Sequence, residues 1–200
     1  MNYLFIDTSA NNLIISIIKN YKIVYSFEDL NNNETSTKVM PAIEAAFLKS
    51  KLEIRDIDKI FVVNGPGSFT GIRVGVTIAK VIGYCLNIPI IPISELELLA
   101  TTYTNTEYIV PIIDARRGYV YGAIYDRNLN IYLNEQYILL DNLKEKCPLN
   151  STVINNENMD INLLKIIKKH ELDKPINPHT LNPNYLKKTE AEENLNDKRN

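Results

Sequence analysis

Three strand-length apolar runs come before any helical spacing begins, and that order excludes the commonest α/β opening. Residues 3–8 (YLFIDT) read as a buried strand, closed by Asp7-Thr8-Ser9 and the turn-forming Asn11-Asn12. Leu13–Ile18 and Lys22–Phe27 follow as strands on either side of an Asn20-Tyr21 turn. A dinucleotide-binding fold would pass from its first strand straight into a helix. Asn31-Asn32-Asn33 is a loop, and helical spacing starts only near Ser36. From there to Ser50 it is carried by Val39, Met40, Ile43, Ala46, Phe47 and Leu48.

The chain then alternates. Lys59–Val63 has the unbroken apolar character of a strand covered on both faces. The loop 64–70 leads into a helix over about 71–86, a short strand at Ile88–Ile91, and a helix starting near Ser94. Ser94 is a suitable N-cap, with Glu97 three residues on as its capping-box partner. The order β-β-β-α-β-α-β-α makes one lobe, residues 1–103. A second, 104–200, opens with Tyr108–Ile113 ending in Asp114, turns at Arg116-Arg117-Gly118, and continues as the alternating strand Tyr119–Tyr125. A turn at Asp126-Arg127-Asn128, a strand at Ile131–Leu133, a helix over about 161–169, and Pro175, Pro178 and Pro183 follow. The charged tail from Thr189 is expected to fray. Both halves begin with a strand, an Asp at its end and a hairpin, so the second lobe reads as a shortened copy. Residues 128–180 carry little pattern.

The bulk numbers exclude several classes. Of the 200 residues 45% are hydrophobic and 23% charged, a balance that supports a packed core. Net charge is −2 and the pI about 5.8, so the chain lacks the basic surplus needed to neutralise many phosphates by itself. The start has no basic region followed by a long apolar stretch, so no signal peptide is expected. The longest apolar run, Leu13–Ile18 interrupted only by Ser16, is too short to span a bilayer. Cys85 and Cys147 have no metal or disulfide spacing, and Cys85 is expected to be inert core. A cytoplasmic protein without a membrane segment is the expectation.

The segment 64–75, NGPGSFTGIRVG, is the most distinctive. It reads as a strand-to-helix loop in which Gly65 and Gly67 give backbone freedom and Ser68 or Thr70 caps the helix. It has no Gly-Lys-Ser/Thr, and Thr70 stands where a dinucleotide fingerprint has its last glycine. In the helix that follows, Gly71, Gly75, Ala79 and Gly83 form a smooth ridge, and Arg73 and Lys80 are the only charges. A helix apolar nearly all round is covered on more than one side. The cover is either the rest of its own lobe or a partner protein.

Asp7, Thr8 and Ser9, together with Asp114, sit where an actin-type ATPase positions Mg²⁺ and water, and are the weak candidates for a nucleotide site. Such a fold also needs a glycine-rich turn for adenine. The chain has no Gly-Gly pair and no glycine after Gly122. These residues are therefore expected to satisfy loop backbone, with no cofactor and no metal. The only histidines, His170 and His179, lie outside any metal or triad pattern and read as solvated surface groups.

The stretch VNGPGSFTGIRVGVTIAKVIGYCLNIPIIPIS resembles the signature region of TsaB (YeaZ) proteins. LFIDTSANNLIISI, IIDARRGYVY and LNPNYLKKTEAEE are similar to the same family in the same order. The resemblance implies an α/β fold of the actin/Hsp70/sugar-kinase (ASKHA) type, with two related lobes and the second degraded. It implies a non-catalytic subunit that pairs with a TsaD-like catalytic paralogue to make threonylcarbamoyladenosine next to the tRNA anticodon. A TsaE-like ATPase would join, a homodimer would form when the chain is alone, and tRNA would be met only through the complex. The metal-binding His-x-x-x-His of TsaD-type proteins has no counterpart here. The family's subunit contact uses the first two helices, which places it on Val39, Ile43 and Phe47 and on the ridge Gly71, Gly75, Ala79 and Gly83. Two departures, Thr35 near a usual histidine and Tyr119 in place of a usual glutamate, bear on any nucleotide role. The competing expectation is a free-standing actin-fold ATPase or metal-dependent peptidase-like enzyme.

Overall fold

In the computed structural model, which describes residues 1–9, 12–29 and 34–187, the first strand, β1 (Asn2–Asp7), is covered on both faces. Leu4 and Ile6 enter one core and Tyr3 and Phe5 another, the period of two that a strand imposes. β2 (Leu13–Lys19) and β3 (Lys22–Asp29) lie antiparallel on one side of it. β4 (Lys59–Gly65) and β5 (Ile90–Ser94) lie parallel on the other, giving the order β3-β2-β1-β4-β5. The crossover helices α1 (Thr35–Ser50) and α2 (Phe69–Leu86) cover one face, where Ile6, Ile15, Val39, Ile43, Ile72 and Val76 are all at most 4% exposed. Each such side chain contributes about 1.5–3 kcal/mol relative to leaving it in water.

The second sheet repeats the plan with fewer pieces. β6 (Tyr108–Asp114), β7 (Tyr119–Asp126) and β8 (Ile131–Leu139) form an antiparallel meander. β9 (Ser151–Ile154) lies parallel to β6, so the order β8-β7-β6-β9 matches the first four strands of the other sheet. The helices have shrunk: α4 (Leu140–Glu145) packs on the outer face and α5 (Leu163–His170) on the inner. The strand expected at 131–133 therefore runs on to Leu139, while α4 and β9 fall in the stretch without pattern.

Between the sheets lies α3 (Glu95–Leu99), all of whose residues are buried. With α5 and the facing sides of both sheets it forms one continuous core. Ser94 caps α3 as expected, accepting from the N–H groups of Leu96 at 3.2 Å and Glu97 at 3.4 Å. The expected return bond from Glu97 is replaced, because its carboxylate turns to α5. After α5 the chain comes back to the first sheet. Ile176 bridges to Ile90, Leu181 is fully buried beside α2, and the Asn184 N–H donates to the Asn64 carbonyl at 2.7 Å. Asn11, the 31–33 loop and the tail from Thr189 lie outside the described residues.

Candidate functional site

The glycine loop is built for close backbone approach to the end of β1. The Ser68 N–H donates to the Ser9 carbonyl at 2.6 Å. A Cβ on Gly67 would lie 2.1 Å from the Ser9 carbonyl oxygen, and one on Gly71 would lie 2.1 Å from that of Thr8. Thr8 Oγ1 donates to the Gly71 carbonyl at 2.8 Å and accepts from the Gly75 N–H at 3.1 Å. Ser68 is the N-cap of α2, accepting from Gly71 N–H at 3.2 Å. The helix thus starts two residues earlier than the spacing suggests.

Asp7, Thr8 and Ser9 are at most 1% exposed. Asp7 Oδ1 accepts from the Ser9 N–H at 2.8 Å and from the Ser9 hydroxyl at 2.7 Å. Glu95 Oε2 lies 2.9 Å from the same hydroxyl. One hydroxyl hydrogen cannot serve two carboxylates, so while Ser9 donates to Asp7, Glu95 is the carboxylic acid and donates to Ser9. Burial raises both acids, and the Asp7 charge raises Glu95 further. Asp114, by contrast, is exposed, and its Oδ1 accepts from the Arg116 N–H at 3.0 Å. A cleft of about 580 Å³ separates Ser9 and the start of α2 from Asp114, Arg116, Tyr121 and Asn156.

α3 ties three parts of the chain together. Glu95 holds Ser9. The Ser94 hydroxyl donates to Glu135, which also accepts from the Tyr125 hydroxyl at 2.8 Å. Glu97 accepts from Lys169 Nζ at 2.5 Å and meets His170 Nε2 at 2.8 Å, while His170 Nδ1 meets Asp173 at 2.6 Å. Burial alone would lower the His170 imidazole, but bonds to two carboxylates outweigh it and raise the group. Burial would likewise raise Glu97, but His170 and Lys169 hold it below its ordinary range. His170 is therefore no solvated surface group: its side chain is 16% exposed and both nitrogens face acids. His179 packs edge-on against Tyr84 at 4.8 Å. Among the described residues no three His, Cys, Asp or Glu side chains gather where a metal ion could be held.

The ridge faces inward. Gly71, Gly75, Ala79 and Gly83 are buried against the chain's own sheet. A Cβ on Gly75 would lie 2.4 Å from Thr8 Oγ1, and one on Gly83 would lie 2.5 Å from Ile90 Cδ1. Val39 and Ile43 are buried in the same core, and of the expected contact residues only Phe47 stays part-exposed. The face that remains open is the opposite one. It exposes Met40, Leu48, Phe69, Val81 and Tyr84 at 49–75%, and Cys85, expected in the core, is exposed with them. α2 is also long and apolar enough to cross a membrane by length and composition, a property hidden by reading uninterrupted runs. A third of it is buried inside the protein.

A family model described as TsaD, tRNA N6-adenosine threonylcarbamoyltransferase, matches residues 30–163. The chain is 37% identical over 126 residues to the tRNA threonylcarbamoyladenosine biosynthesis protein TsaB of Bacillus subtilis, covering 62% of this chain and 55% of that protein. It is 30% identical over 133 residues to the TsaB of Escherichia coli, covering 65% and 57%. The match thus spans little more than half the length of these relatives. Among solved structures, YeaZ from Pseudomonas aeruginosa has a TM-score of 0.77 at 18% identity, over 92% of this chain and 99% of that one. A second, described as a Pseudomonas aeruginosa protein with similarity to peptidase YeaZ, has a TM-score of 0.78 at 17% identity, over 93% and 99%. At these identities the likeness speaks for the fold. With the repeated sheet order, the fold is the ASKHA-type α/β arrangement expected, its second half abbreviated. Matched by the family model over more than half its length and aligned with these relatives, the chain belongs to the TsaD-type family and, within it, to the TsaB (YeaZ) group.

Proposed function

We propose that the chain is a non-catalytic partner subunit in the formation of threonylcarbamoyladenosine in tRNA, docking a TsaD-like catalytic paralogue through the outward face of α1 and α2. The observation that carries this reading is the set of exposed apolar side chains on one side of the helix pair, Met40 and Leu48 on α1 and Phe69, Val81 and Tyr84 near the two ends of α2, with half-buried Val74 and Ile78 between them. The contact is thereby moved off the ridge and onto the other side of the same two helices. A non-catalytic role is supported by the fate of the candidate groups. Asp7 is sealed beneath Ser9, both nitrogens of His170 are engaged by carboxylates, and Asp114 is left facing the cleft.

The same reading divides the chain into lobes 1–103 and 104–200, with 176–187 crossing back as a strap on α2. It places the subunit in the cytoplasm and lets the face self-pair as a homodimer when the paralogue is missing. A TsaE-like ATPase joins the pair, and tRNA is met through the complex. The test is co-expression with the TsaD-like paralogue of the same organism, gel filtration, and a tRNA-modification assay with and without this chain. A stable heterodimer, and modification lost when the chain is omitted, are expected. Full modification by the paralogue alone would sink the proposal. ATP or peptide hydrolysis by the isolated chain would favour the free-standing enzyme instead.

A further inference from the structure

Arg73 lies one turn into α2 on the open side, between two grooves. One, of about 500 Å³, runs toward α1 past Met40, Val74 and Ile78. The other, of about 350 Å³, runs toward the strap past Lys80 and Tyr185. The guanidinium carbon sits 3.8 Å from the centroid of the Phe69 ring, and Nε donates to the Tyr185 hydroxyl at 2.7 Å. Phe69 and Tyr185 stack on each other at 5.3 Å, with 25° between their planes. The other cation of α2, Lys80, is spent on the Leu181 carbonyl at 2.9 Å. Among the described residues none of the ion pairs includes Arg73.

A surface arginine in water is ordinarily mobile, and fixing it costs side-chain entropy. Here that cost is met in the free protein by a ring beneath the guanidinium and a hydroxyl on Nε, which leaves the terminal nitrogens to bind. A planar fork held this way matches a carboxylate with two parallel hydrogen bonds. When an apolar surface closes over the face, an unpaired Arg73 would be a buried, uncompensated charge, which is strongly unfavourable. The docking surface therefore demands an anion at one place. We propose that Arg73 is the specificity-determining residue of the α1–α2 face, and that the same-fold catalytic paralogue meets it with one Asp or Glu carboxylate set in an apolar helix stripe. Tyr185 is a positioning residue that keeps the fork aimed. The inference rests on the docking reading above.

The test measures affinity for the co-purified TsaD-like paralogue over a salt series, with thermal melts run beside it. Arg73→Ala should weaken the pair about 10-fold or more, Arg73→Glu further, and Arg73→Lys should restore only part, because an ammonium cannot make the paired bonds. Arg73→Ala should also flatten the salt dependence. Tyr185→Phe should weaken binding while keeping the salt slope, since the charge stays, and its melt should be unchanged. Met40→Ser with Val81→Ser, which removes apolar area and no charge, controls for the docking reading. If that pair of changes disrupts assembly while both Arg73→Ala and Arg73→Glu bind as the parent does, the inference fails and the docking face stands. If none of these variants alters assembly, the docking reading itself fails. Glu44 is the one acid on α1 and is exposed. Arg73→Ala losing only self-association, with the heterodimer intact, would assign the anion to Glu44 of a second copy and overturn the proposal.

Discussion

The hydroxyl of Ser9 joins two buried carboxyl groups that the sequence places 88 positions apart, at Asp7 and Glu95. Its one hydrogen goes to Asp7 and Glu95 donates to it, while burial, with the Asp7 charge second, makes Glu95 keep its own proton well above the ordinary range for a glutamate. The folded chain then holds a proton that the unfolded chain has released. The stability tied to it is complete below the ordinary value of about 4.5 and is lost as pH rises through the raised one. Asp7, raised by burial to about 6, and Glu135, also raised by burial, add loss in the same direction over the carboxylate range, and His170, whose value is raised too, adds more once pH passes its ordinary value of about 6.5. Melting temperature should fall from about pH 5 upward, and Glu95→Gln, whose amide donates to Ser9 at every pH, should make the fall between about pH 5 and 6.5 shallower, leaving the share of Asp7 and Glu135. Parallel profiles for parent and variant would mean that Glu95 is ionised in the fold. None of this pairing was legible in the sequence. Asp7, Ser9 and the Ser94 cap were each identifiable, but Glu95 drew no notice beside the capping pattern of Ser94 and Glu97.

At the scale of elements, α2 teaches what periodicity can and cannot say. A small residue every fourth position proves a smooth face; it does not say which surface lies against that face. The deciding partner is Thr8, whose hydroxyl bridges the Gly71 carbonyl and the Gly75 N–H. That bond is set by the strand that α2 crosses, beyond the reach of any local window. Gly75→Leu or Gly83→Leu should therefore act on the fold itself, forcing Thr8 or Ile90 aside at about 1–3 kcal/mol or more each. The measurement is a thermal or urea melt of the isolated protein. A mutant that melts like the parent yet no longer pairs would return the ridge to the interface. The strands with clean alternation or unbroken apolar runs, β1 to β4 and β7, were placed within a few residues by the sequence. β8 was cut short because Asn134, Glu135 and Gln136 interrupt its apolar run; Glu135 is nonetheless part-buried, satisfied by Ser94 and Tyr125. β9, at four residues, is too brief to show a period.

For the molecule as a whole, the legible part was the duplication. A strand, an Asp and a hairpin recur in each half, and the two sheets have matching orders over their first four strands. What the sequence hid is that the halves share a core through α3 and α5 and that the strap rejoins the first sheet. The charge balance, −2 overall, was readable from composition. It predicts that a gel shift with tRNA at physiological salt will find little binding by the isolated chain, because phosphate neutralisation dominates such affinity. Tight binding without the paralogue would contradict it. The strap also sets a clock. Tyr185, which steadies Arg73, leaves the ribosome 112 residues after it. At about 5–20 residues per second that is an interval of roughly 6–22 s. Through it Arg73 has the Phe69 ring of its own helix beneath it but not the Tyr185 hydroxyl, and the flank of α2 is bare. On the proposed docking, recognition by the partner would be deferred until almost the whole described chain has been made, and nascent subunits would be poor competitors for finished ones.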